Sequence, residues 1–157
     1  MRDELSIRSA TFDDLSLLVK IENQVHISPW SEEHFQAELE KPYSHILLLS
    51  DDDTDQVIAG YIVYWLMLEE CEILNLAVDL PFRGLGYAEK LVRAVVSASI
   101  KMSLKRVILD VRKSNLPALH LYQKVGFRIS HIRKGFYSNG EDAYQMMIDL
   151  SESATNF

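Results

Sequence analysis

Cysteine is almost missing from this chain of 157 residues: Cys71 stands alone. No intrachain disulfide can form, and no C-x-x-C or paired-histidine zinc spacing exists. A strand cysteine without an activating partner reads as a small core residue and not as a nucleophile. Long apolar runs are missing too. The longest, VIAGYIVYWLML (57–68), is too short to span a bilayer. MRDELSIRSA lacks the apolar centre of a signal peptide, so a cytoplasmic location is expected. Positive charge is in deficit, with 16 Lys and Arg against 23 Asp and Glu and a formal net charge of −7. That argues against generic nucleic-acid binding, which wants a basic surface. It is compatible with a basic peptide partner.

What is present suits one globular domain. Hydrophobic residues make up 48% and charged residues 25% of the chain, and no repeat or low-complexity linker interrupts it. The expectation is a single domain over 1–150 and a frayed tail, SESATNF, over 151–157. LSIRSA (5–10) alternates like a strand. Thr11 followed by Asp14 resembles a capping box and opens a helix through Val25, with Leu15, Leu18, Val19, Ile21 and Val25 on its apolar side. Pro29-Trp30 breaks the chain, and Ser31 caps a second helix, SEEHFQAELEK. Strands follow at 44–50, 57–68 and 71–78, with a turn at DDDTDQ (51–56). AEKLVRAVVSASIKM is helical, and RVILDV (106–111) is a strand. Asn115 or Ser114 caps LPALHLYQKV, Gly126 ends it, and strands at 127–132 and 143–150 close the chain. Strand runs around two central helices indicate a mixed α/β sheet.

The chemistry concentrates in VDLPFRGLGYAEKLV (78–92). A strand, a short loop with two glycines and a helix start place free backbone N–H groups at the positive end of a helix, which makes an anion site. Three phosphate readers compete for it. The dinucleotide pattern G-x-G-x-x-G needs a glycine at position 89, which is Glu89. The Walker A pattern is absent. The third, R-x-x-G-x-A, fits Arg83, Gly84, Leu85, Gly86, Tyr87 and Ala88. It is the pyrophosphate loop of the GNAT superfamily of N-acetyltransferases, which bind acetyl-CoA. Downstream, Asn115, Ala118, Leu121, Tyr122, Gly126 and Phe127 resemble that superfamily's N-x-x-A-x-x-L-Y-x-x-x-G-F segment. The resemblance runs from the first strand to Leu150.

Within the superfamily the chain resembles the bacterial ribosomal-protein-alanine N-acetyltransferases, the RimI family. Pro29-Trp30-Ser31 with Phe35 is similar to that family's P-W-S-x-x-x-F. Asn75-Leu76-Ala77-Val78-Asp79 resembles its N-I-A-V-D, Val111-Arg112-Lys113-Ser114-Asn115 its V-R-x-S-N, and Glu141-Asp142-Ala143 with Met146 its E-D-A-x-x-M. The resemblance implies an α+β fold whose mostly antiparallel sheet splays between its fourth and fifth strands, with acetyl-CoA as co-substrate in the split. It implies cofactor contacts from Leu76, Ala77 and Val78, from Arg83 and Gly84 through Glu89, and from Asn115. Trp30, Phe35 and Tyr137 are expected on the peptide side. The family's acid falls on Tyr122. Its basic glutamate falls on Asp110, a shorter carboxylate that would act directly or through water. No metal is implied.

The implied activity is acetylation of the N-terminal alanine of a small-subunit ribosomal protein, by a monomer that contacts neither membrane nor nucleic acid directly. Two other readings share the cofactor loop. One is an N-acetyltransferase for small amines, and the other is an acyl-CoA-binding domain without catalysis. His120, beside Tyr122, reads as a surface or packing residue.

Overall fold

A computed structural model describes residues 5–51 and 57–151. The turn at 52–56 and the tail beyond Ser151 lie outside the described residues. The chain divides into two compact units, Met1–Trp65 with Asn75–Val92, and Leu66–Leu74 with Arg93–Phe157.

The first unit opens with β1, Ser6–Ser9. The capping box at Thr11 forms, with the Thr11 N–H donating to Asp14 Oδ2 at 2.8 Å. It bounds a 3-10 turn, Phe12–Asp14, and the α-helix α1 starts only at Leu15 and runs to Val25. The continuous helix expected from Thr11 is therefore split. Asp14 is also held by Arg8 at 2.9 Å, which fixes the tighter turn. Helix α2, Glu32–Glu40, begins where expected, the Ser31 hydroxyl accepting from the His34 N–H. Strands β2, Ser44–Ser50, and β3, Ile58–Leu66, pair antiparallel, and β1 pairs antiparallel with β2. Leu18, Phe35, Leu48, Leu49, Tyr61, Ile62 and Val63 are buried and form this unit's core. The C-terminal half of strand β4, Glu70–Val78, completes the unit beside β3.

Gly60 on β3 makes that neighbour possible. A Cβ there would stand 2.7 Å from the Ala77 carbonyl oxygen and 3.2 Å from the Val78 Cα. Only a residue without a side chain lets β3 lie this close to β4.

The second unit holds the start of β4, the strand β5, Arg106–Arg112, then β6, Arg128–Arg133, and β7, Ala143–Asp149. Here β4 and β5 are parallel, in register from Glu70↔Arg106 to Ile73↔Leu109. Beyond that rung no pairing is found among the described residues, although β4 runs on to Val78 and β5 to Arg112. β7 is antiparallel to both β5 and β6. Helix α3, Tyr87–Lys101, has its first turns in the first unit, and α4, Leu116–Val125, belongs to the second. Burial alternates along β4 and β5, with Cys71, Ile73, Val107, Leu109 and Val111 turned inward. Glu72 and Asp110 therefore share the other, half-exposed face. Among the described residues no helix is long and apolar enough to cross a membrane.

Candidate active site

In the first unit the glycine loop has the backbone that its sequence requires. Gly84 has φ +77° and Gly86 φ +82°, conformations that residues with side chains rarely adopt. Open space surrounds both positions, so the backbone angle and not crowding selects glycine. Asp79 caps a 3-10 turn, Leu80–Phe82, its Oδ1 accepting from the Leu80 N–H at 2.9 Å. Arg83 Nε reaches back to the Val78 carbonyl at 3.3 Å. That bond ties the loop to the end of β4, where Leu76, Ala77 and Val78 lie. Helix α3 opens at Tyr87, with Ala88 and Glu89 in its first turn. The leading N–H groups of a helix have no partner within it, so this end suits a phosphate.

Of the proposed peptide-side residues of this unit, Trp30 sits in the turn between α1 and α2 and Phe35 in the first half of α2. The Trp30 ring stacks on His34 at 3.9 Å and tilts against Phe35 at 5.2 Å. Phe35 itself is 0% exposed and meets Tyr61 edge-on. It backs Trp30 from inside the core and offers no surface of its own.

In the second unit the carboxylate of Asp110 is the chemically unusual group. Its side chain is 17% exposed, and Arg133 Nε lies 3.4 Å from Oδ1. That oxygen is buried and has no hydrogen-bond partner, so the contact is ionic without being an aligned hydrogen bond. Burial pushes the Asp110 pKa up, and the Arg133 guanidinium opposes it. Glu72 on the neighbouring strand is also raised, by burial first and then by the Asp110 charge, while Arg133 lowers it. Two half-buried carboxylates facing one guanidinium make a site where burial eases the uptake of a proton and the guanidinium resists it.

Tyr122 stands on α4, 7% exposed, its ring edge-on to Phe127 at 5.6 Å. Burial, then the nearby Tyr137, drives its pKa above the ordinary tyrosine value. Such a phenol keeps its proton at neutral pH. Asn115 caps α4 with Oδ1 accepting from the Ala118 N–H at 3.2 Å, which leaves its amide NH2 outside the cap. Gly126, at φ +118°, ends that helix. His120 is exposed, and Cys71 is buried with its thiol pushed up by burial to about 11. A thiol so raised is a poor nucleophile.

The last two short motifs bind each other. Glu141 accepts from Arg112 Nη1 at 3.1 Å and from the Ser114 N–H at 2.9 Å. Asp142 accepts from the Gly135 N–H at 2.9 Å, and its carbonyl accepts from the Lys113 N–H at 3.1 Å. The Tyr137 N–H donates to the Glu141 carbonyl at 3.1 Å, and Arg112 lies over the Tyr137 ring at 3.9 Å. Glu141 and Asp142 thus clasp the Phe136-Tyr137 turn to the end of β5. Arg133, Glu72 and this clasp escape a sequence reading because nothing in their spacing announces the pairing. Among the described residues no group of three or more His, Cys, Asp or Glu is placed to hold a metal ion.

The first unit holds a helix start suited to an anion and the second a raised carboxylate, and these features, with a mixed sheet that has one parallel pair, are compatible with an acyl-transfer protein. The same fold is found in the crystal structure of the ribosomal-protein-alanine N-acetyltransferase from Escherichia coli. That match has a TM-score of 0.83 and 28% identity, over 92% of this chain and 93% of that one. Residues 15–127 match the acetyltransferase (GNAT) family, and the chain belongs to it. Among curated relatives, a ribosomal protein bS18-alanine N-acetyltransferase of Haemophilus ducreyi is 34% identical, over 83% of this chain and 88% of its own. A Bacillus subtilis protein given the same activity provisionally is 34% identical, over 97% of this chain and 100% of its own.

Proposed function

We propose that this protein transfers the acetyl group of acetyl-CoA to the N-terminal α-amino group of a protein, namely the N-terminal alanine of a small-subunit ribosomal protein. The observation that carries the chemistry is Asp110, whose buried oxygen has no hydrogen-bond partner. The substrate follows from the named activity of the relatives and from the peptide-side segments at Trp30 and Tyr137.

The positive-φ loop and the start of α3 suit the pyrophosphate of coenzyme A. When bound, acetyl-CoA supplies an acetyl thioester. The main chain of Leu76, Ala77 and Val78, with residues 83–89 and Asn115, orients it. A backbone N–H of the 76–78 segment stabilises the developing oxyanion. An α-amino group has a pKa of about 7.7–8.0 and sheds its proton readily near neutrality. Asp110, directly or through water, accepts that proton as the C–N bond forms. As the C–S bond breaks, Tyr122 donates a proton to the departing thiolate. Trp30 and Tyr137 flank the peptide.

The test is thiol release from acetyl-CoA with a short peptide beginning Ala-Arg, against the same peptide with a blocked N-terminus and an internal lysine. Release with the free N-terminus alone is expected. Faster release with a panel of small amines would overturn the substrate assignment. Acetyl-CoA binding without release from any amine would overturn the activity.

A further inference from the structure

Helix α1 turns Leu15, Leu18 and Ile21 into the core of the first unit, and next to them it buries a carboxylate, Glu22, only 1% exposed. Everything that touches its oxygens is a donor. The Tyr61 hydroxyl on β3 donates to Oε2, the Asn75 amide on β4 donates to Oε2 at 2.8 Å, and the Trp30 N–H donates to Oε1 at 3.4 Å. The remaining polar neighbour is His26, one turn along the helix, its Nε2 lying 3.9 Å from Oε2. In all three hydrogen bonds Glu22 is the acceptor.

A buried carboxyl group is a poor way to stabilise a core. An apolar side chain of similar volume at this position would do as well or better, because removing so polar a group from water is costly. The partners indicate what Glu22 does instead. Trp30 is the peptide-side residue of the turn before α2, and Asn75 immediately precedes the 76–78 main chain. One carboxylate joins the two.

We propose that Glu22 is a positioning residue for the acceptor peptide. It holds the backbone of the Trp30 turn at a set height above β4, and so sets where the first residue of the substrate can sit. This rests on the N-terminal acetyltransferase reading. The ring contacts of Trp30 with His34 and Phe35 fix its tilt, and the Glu22 bond to its N–H fixes its main chain.

The experiment compares Glu22→Gln and Tyr61→Phe in the full chain, with the Ala-Arg peptide as acceptor. In Glu22→Gln the two donors at Oε2, from Tyr61 and Asn75, keep the remaining oxygen on their side, so the new NH2 takes the place of Oε1, faces the Trp30 N–H and breaks the link to the turn. Tyr61→Phe removes one donor from the same cluster and leaves the Trp30 bond in place. Both variants lose thermal stability. We expect Glu22→Gln to raise the peptide KM about tenfold, with the acetyl-CoA KM within twofold of wild type. Tyr61→Phe leaves both KM values within twofold. If the peptide KM follows the loss of stability in both variants alike, Glu22 is a structural core residue and the proposal falls. Should Glu22→Gln fail to fold, Glu22→Asp, which keeps the carboxyl group but is a methylene shorter, must still raise the peptide KM selectively. A wild-type protein inactive on the peptide overturns the acetyltransferase reading. A wild-type protein that is active, with an unchanged peptide KM in the Glu22 variants, overturns only the role of Glu22.

Discussion

Replacing Tyr122 by Phe separates chemistry from architecture at this site. The ring is 7% exposed and rests edge-on against Phe127 at 5.6 Å, contacts that Phe retains. Losing one hydroxyl should change folding stability by no more than about 1 kcal/mol. The catalytic cost follows from relative acidities. A thiol such as that of coenzyme A has a pKa of about 8.5, whereas burial holds Tyr122 above the ordinary tyrosine value of 10.0. Proton transfer from Tyr122 to the thiolate is therefore uphill, which places its contribution at the lower end of the usual range for general acids. That end is about 10²-fold, or about 2.7 kcal/mol. The assay is steady-state thiol release with both KM values, beside a thermal melt. A fall in kcat of about 10²-fold with an unchanged acetyl-CoA KM and melting temperature is the expected result. A kcat within about threefold of wild type, in a protein that melts normally, would remove Tyr122 from the mechanism. The raised pKa adds a second check: the acid form persists to high pH, so wild-type kcat should show no basic limb from Tyr122 below pH 10.

Two further outcomes follow from the geometry. Arg133 stabilises the ionised form of Asp110 from 3.4 Å, so Arg133→Gln removes a term that lowers the carboxyl pKa. Followed by NMR across a pH titration, the Asp110 carboxyl should titrate at higher pH in the variant, and a null or downward shift would contradict the ion pair. Gly60→Ala drives a methyl to 2.7 Å from the Ala77 carbonyl, where backbone and not a flexible side chain must yield. It should cost about 1–3 kcal/mol of stability and raise the acetyl-CoA KM through the displaced 76–78 segment. An unaltered melt and KM would mean that β3 moves freely there.

Local backbone features of both units were legible without coordinates. The Gly84 and Gly86 loop, the Asn115 cap and the Gly126 stop each depend on local backbone chemistry, which short sequence patterns record. Other features were not legible. Val25 and Ile21 advertise the apolar stripe of α1, but nothing in their spacing reveals that Glu22 lies beside them, buried and accepting from three donors. Phe35 looks like a substrate-facing aromatic from its place after P-W-S, yet α2 turns it wholly into the core. Thr11 and Asp14 signal a helix start correctly, but the Arg8 ion pair tightens that turn and delays α1 to Leu15. The E-D-A ending gives no sign in the sequence of its partners, and in the structure Glu141 and Asp142 clasp the turn that carries Tyr137.

By itself, then, the amino-acid sequence determined the order of strands and helices, the glycine loop and the caps of α2 and α4. Each of these is set by hydrophobic period, by capping chemistry or by a φ angle that only glycine takes easily. Tertiary structure alone decided the ionisation of the site. Whether Asp110 is raised or lowered depends on how deeply β5 buries it and on Arg133, which β6 brings to 3.4 Å from 23 residues further along the chain. Desolvation and Coulomb energy depend on distances through space, and a linear pattern does not carry them.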